Sequence, residues 1–133
     1  MEVITTKTVM FKIDYPPTKA GKTAWNRRYG LNAYYAGKHW AVRKKDAEYW
    51  HTITRAAVKE CIKKPVMFDK PVVFTYWFNS QLDLSNCSSF VKLIEDGTKD
   101  LLIHDDSRMY VKQINMLWHN EDYILVKIQE IDA

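Results

Sequence analysis

Cysteine is scarce: Cys61 and Cys87 are the only two in 133 residues. Two are too few for a disulfide framework, and they lack the close spacing of metal ligands. Both thiols are therefore expected to be reduced, and the chain cytoplasmic. No apolar run approaches the roughly 20 residues that a membrane-spanning helix needs. The opening MEVITTKTVMFKIDYPP has no charged segment followed by an apolar one, so no signal peptide is expected there. Internal repeats and low-complexity tracts are missing as well. Neither a membrane partner nor a small-molecule cofactor is expected.

What is present fits one globular unit. The hydrophobic fraction is 47%, and the length suits a single domain spanning residues 1–133. A domain of this size buries roughly two-thirds of its unfolded surface, enough to fold without staples. The net charge is +4, which permits a nucleic-acid partner without identifying one. Basic residues crowd positions 19–70, whereas acids concentrate at 83–106. That split suits a polyanion binder that holds cations at one spot. An unevenly charged, solvated surface is the alternative.

Residues 3–15 alternate as a strand, with Val9, Phe11, Ile13 and Tyr15 on one face. Pro16-Pro17 ends it, because proline lacks the N–H a ladder needs. Residues 18–38 show no clean period and read as a long loop. They combine Lys19, Lys22, Arg27, Arg28 and Lys38 with Trp25, Tyr29, Tyr34 and Tyr35. Such a loop can contact phosphates and stack on unpaired bases, or simply be pinned to the core by its aromatics. Residues 40–63 are the clearest helix, with an apolar stripe of Ala47, Trp50, Ile53, Ala57, Cys61 and Ile62, and Pro65 at its end. Arg43, Lys44 and Lys45 in its first turns adjoin the basic loop and extend the phosphate-binding candidates. His51 reads as a surface histidine.

Residues 71–80 form a second strand, apolar on both faces and so central in its sheet. A helix over 86–96 follows, with Phe90, Leu93 and Ile94 inward and Gly97 at its C-cap. Strands over 109–118 and 123–131 flank His119-Asn120-Glu121-Asp122 and read as a hairpin. The expected fold is α+β: a small mixed sheet with two main helices packed on it.

Chemistry concentrates in residues 82–111. Asp83 leaves the central strand near a helix start, and Asp105-Asp106 open the next strand. With those strands adjacent, the carboxylates would converge. Hard oxygen ligands of that kind hold Mg²⁺, which polarises a phosphodiester and helps deprotonate the attacking water. Lys92, about two turns into the helix, would stabilise developing charge. The plain alternative is that Asp83 or Ser85 caps the helix, Asp105-Asp106-Ser107 is a polar turn and Lys92 is solvated.

Together, Asp83-Leu84-Ser85-Asn86, Lys92, Asp96 and Asp105-Asp106 resemble the RusA-type Holliday junction endonucleases, many of them prophage-encoded. Upstream, Pro16-Pro17 and LNAYYAGKHWAVRKK at 31–45 are similar to the loop and basic helix start of phage members. The resemblance covers nearly the whole chain. It implies a Mg²⁺-dependent homodimer, with Mn²⁺ a possible substitute, that resolves four-way DNA junctions by paired cuts. Asp83 and Asp106 fall on metal-ligand positions, Lys92 on the essential lysine, and Asp105 on the companion acid. Asp96 falls on an acidic position one turn beyond the lysine. Two departures stand out. Ser85 replaces a second aspartate and brings an oxygen without charge, with Asn86, Asp105 or Asp96 left to compensate. The Asn86-to-Lys92 spacing is also about one helical turn longer than the shortest family form. The implied set is therefore Asp83, Asp105, Asp106, Ser85 and Asn86 at the metal, and Asp83, Lys92, Asp105 and Asp106 in catalysis. The DNA-contact candidates are Arg27, Arg28, Lys38, Arg43, Lys44 and Lys45. The alternative is a branched-DNA-binding protein of the same fold, weakened or inactive through Ser85.

Overall fold

Val, Phe, Tyr and Trp fill Val72–Phe78, and β-branched and aromatic residues pack well on a pleated surface. In the computed structural model, which describes residues 7–35, 37–64 and 67–131, that strand is the second of four. The elements run β1 (Thr8–Asp14), α1 (Lys19–Tyr29), α2 (Leu31–Tyr35), α3 (Trp40–Cys61), β2 (Val72–Phe78), a 3₁₀ turn (Leu84–Cys87), α4 (Ser88–Thr98), β3 (Val111–Trp118) and β4 (Tyr123–Glu130). The sheet order is β1-β4-β2-β3. β2 is antiparallel to β4 and parallel to β3. The fold is therefore mixed α+β, with helices packed on a mixed sheet. Residues 3–6 of the expected first strand, the side chains of Tyr34 and Tyr35, and Pro65 lie outside the described residues.

The helices cover one face of the sheet. Phe74, Tyr76 and Phe78 of β2, with Ile124, Val126 and Ile128 of β4, point into that core and are fully buried. Trp50 of α3 lies at its centre, with Trp25 at 4.8 Å and Phe90 at 5.4 Å between ring centroids. The opposite face is more open: Thr8, Met10 and Lys12 are exposed, and Val73 and Trp77 are half-buried. Among the described residues no helix is long and apolar enough to cross a membrane.

Several expectations need correction. Residues 18–38 hold two helices rather than a long loop. Thr18 caps α1 by accepting a hydrogen bond from the Gly21 amide at 3.0 Å. The helix is anchored by Trp25, Asn26 and Tyr29, a stripe too narrow to register as a period. The inward stripe of α3 is Asp46, Trp50, Thr54, Ala57 and Val58, whereas Ala47 and Cys61 are exposed. Polar Asp46 can turn inward because Arg28 and Lys38 neutralise it at 2.8 Å each.

The last two strands form no hairpin, since β2 lies between them. Residues 119–122 instead cross the end of β2. The His119 amide donates to the Phe78 carbonyl at 3.0 Å, and Asn79 Nδ2 donates to the Glu121 carbonyl at 3.0 Å. Gly97 is not a C-cap but lies inside α4, which ends at Thr98. A Cβ there would come within 2.8 Å of Thr54 Cβ, so glycine lets α3 and α4 approach. The left-handed residue beyond the helix is Asp100, at φ 63.

Candidate functional site

Lys92, Glu95, Asp96 and Lys99 recur at three- and four-residue steps of α4, so they line one stripe of the helix. The segment between Thr98 and β3 returns across that stripe. It delivers Asp106, whose Oδ2 accepts a hydrogen bond from Lys92 Nζ at 2.7 Å and lies 3.2 Å from Lys99 Nζ. Asp96 Oδ1 stands 3.4 Å from Lys92 Nζ and 3.2 Å from Lys99 Nζ. The result is a square of two ammonium groups and two carboxylates.

The electrostatics follow from that square. The hydrogen bond from Lys92 holds the Asp106 carboxyl well below the usual carboxylate range. Lys92 is raised in turn by its bond to Asp106. For Lys99, burial pulls down, and the bonds to Asp106 and Asp96 outweigh it. Glu95 differs from its neighbours. It is 5% exposed, and burial, reinforced by the negative Asp106, pushes its carboxyl up to about 7. The buried Tyr76 hydroxyl is raised by burial and by the charge of Glu95, and it has no hydrogen-bond partner among the described residues. The site therefore pairs fixed charges with one carboxyl that exchanges its proton near neutrality.

Asp83, Ser85, Asn86 and Asp105 make no hydrogen bond or ion pair with this square. Asp83 is exposed at the start of the 3₁₀ turn, where its backbone carbonyl accepts from the Asn86 amide at 2.9 Å. It makes no side-chain capping bond. Ser85 is exposed and Asn86 half-buried in the same turn, and Asp105 is exposed beside Asp106. β3 does neighbour β2, as convergence required. The pairing is parallel, however, and β3 begins at Val111 rather than at the aspartates. Asp83 thus follows the far end of β2, while the Asp106 loop leads to the near end, where Val72 pairs with Val111. A strand of seven residues separates those ends by about 20 Å. Among the described residues no group of three or more His, Cys, Asp or Glu is placed to hold a metal ion.

The basic candidates divide. Arg28 and Lys38 both bind Asp46, and Lys38 also donates to the Arg28 carbonyl at 2.6 Å. Arg43 is half-buried, whereas Arg27, Lys44 and Lys45 are exposed. Lys38, Arg43 and Asp46 share a cleft of about 250 Å³ with Lys92 and Asp96. The basic start of α3 therefore opens onto the charged square. Within the 82–111 stretch the sequence places Glu95 without giving it a role, and it does not single out Lys99. Their i+3 and i+7 spacing from Lys92 was available as a signal, but the burial that distinguishes Glu95 was not. No protein-family model matches the chain, and no curated protein matches it.

Proposed function

We propose that the chain is a RusA-like endonuclease that resolves four-way DNA junctions by Mg²⁺-dependent phosphodiester hydrolysis as a homodimer. The observation that carries this reading is the contact of Lys92 with Asp106. A lysine and an acid, both singled out by the resemblance and 14 residues apart, meet at 2.7 Å. Lys92 is held as an ammonium group where it can stabilise charge developing on a phosphodiester oxygen. The cleft leads from it to the cationic start of α3, where a DNA backbone would lie.

The implied metal ligands fit the reading only in part. Mg²⁺ demands a near-octahedral set of oxygens. Asp106 would supply one, but Asp83, Ser85, Asn86 and Asp105 do not join it, and two lysines hold its oxygen. When bound, the ion would polarise the phosphate and offset charge on the leaving oxygen. As they stand, the chain's own residues bind the phosphate backbone and hold Lys92 in place. This partial fit favours a second reading, a branched-DNA binder that does not cut.

Cleavage of a labelled four-way junction, against linear duplex of the same sequence, separates the two. Paired, metal-dependent cuts in the junction alone, abolished in Asp106→Asn and Lys92→Met, are expected for the nuclease. Tight junction binding with no cuts under Mg²⁺ or Mn²⁺ identifies the binder. Indifference to branched DNA removes both.

A further inference from the structure

A cavity of about 720 Å³ lies between α1, α2 and the chain leaving β2. It shares only Leu31 with the cleft beside Lys92. A volume of this order is that of a small-molecule site. Leu31 and Leu82 give its lining an apolar part, and Gly30 packs so close to Leu82 that a Cβ there would stand 3.0 Å from Leu82 Cδ1. Lys19, Lys22 and Arg27 project around it from successive turns of α1.

Asn26 gives the cavity its chemistry. It is 7% exposed and lines the wall. Its carboxamide makes no hydrogen bond to any described residue. An amide at a cavity wall offers two donors and an acceptor to whatever enters. The exposed carboxamides of Asn32 and Gln81 line the same space. Carboxamides pair bidentately with the edges of nucleobases, and cations at the rim meet phosphate.

We propose that this cavity is a nucleotide site. It would take an unpaired base against the carboxamides of Asn26, Asn32 and Gln81, with the base's phosphate on Lys19, Lys22 and Arg27. The charge complementarity is that of a phosphorylated ligand, and the apolar part of the lining suits a planar one. The site stands independently of junction cleavage, because a mononucleotide either binds there or does not, whatever happens at Lys92.

The test is a titration of the full chain with the four deoxynucleoside monophosphates, followed by ¹H–¹⁵N spectra. Saturable shifts are expected in the Asn26 side-chain amide and in the amides of residues 30–33, with deoxyribose 5-phosphate binding roughly tenfold weaker or less. Thr23 is exposed on the groove side of α1, so Thr23→Trp should block entry without disturbing the core. Replacing Lys19 and Arg27 together by glutamine should weaken nucleotides roughly tenfold while leaving nucleosides unchanged. A single-stranded tetranucleotide distinguishes a DNA strand, which would bind tighter than the monophosphate, from a free nucleotide, which would not. Equal binding of deoxyribose 5-phosphate, shifts elsewhere, or no binding at millimolar nucleotide would each overturn the proposal. Junction binding by the same samples shows whether the earlier reading fails separately.

Discussion

Glu95 is the residue whose chemistry least resembles its appearance in the sequence. Buried beside Asp106, its carboxyl is held up at about 7, against an ordinary value of 4.5. Below pH 4.5 it is protonated in both folded and unfolded chains, and folding is indifferent to it. As pH rises, the unfolded chain releases the proton first, so stability falls until the folded group also ionises near 7. The cost is then about 3 kcal/mol. Glu95→Gln should therefore stabilise the protein at pH 8 by an amount of that order, and by little at pH 4.5, in urea unfolding. An equal increment at both values would show that the carboxyl is not held protonated. Asp106 runs the other way, since the stability its lysine pairs contribute is present above the unfolded carboxylate range and lost in strong acid. The sequence singled out Lys92 and Asp106 by order and spacing, and they meet. It did not reveal that Asp83, Ser85 and Asn86 follow the other end of β2, because strand direction is a long-range property that local pattern does not encode.

At the level of elements, legibility tracks how much of the burial is local. β2 reads as central because both faces are apolar, and α3 reads as a helix because its period runs for 22 residues. α1 was missed because Trp25, Asn26 and Tyr29 are buried by a distant helix and not by a stripe of their own. The final hairpin was misread for a related reason. A four-residue turn permits local pairing of β3 with β4, yet β2 lies between them, pairing parallel with β3 and antiparallel with β4. The α3–α4 contact gives a test of sign. Helix propensity alone makes Gly97→Ala favourable by about 1 kcal/mol. The 2.8 Å approach of a Cβ to Thr54 makes it an overpacking change, which typically costs about 1–3 kcal/mol. A net loss in denaturant midpoint is expected, and a gain would refute the close approach of the helices.

For the whole molecule, the two edges of the sheet are unequal. β1 exposes Lys12 and Asp14, which lie 3.7 Å apart and are well solvated, and charge of this kind discourages edge pairing. β3 exposes Ile114, Leu117 and Trp118 at 43%, 42% and 45%. Lys112 and Gln113 lie in the first half of this eight-residue edge, but its second half carries Ile114, Met116, Leu117 and Trp118 and is an open template for another strand. The homodimer proposed for junction resolution needs a self-complementary surface, since paired cuts in a two-fold substrate require two matched subunits. β3 is where that surface is expected. Ile114→Lys with Leu117→Lys should convert a micromolar dimer to monomer in sedimentation velocity. Thermal unfolding of the monomer should remain cooperative, because neither side chain belongs to the core. Junction binding by the monomer should weaken while its salt dependence per subunit persists, since phosphate contacts release counterions whether or not the subunits pair. A wild-type chain that sediments as monomer at micromolar concentration, with and without junction DNA, would remove the dimer. Paired cleavage would lose its structural basis with it.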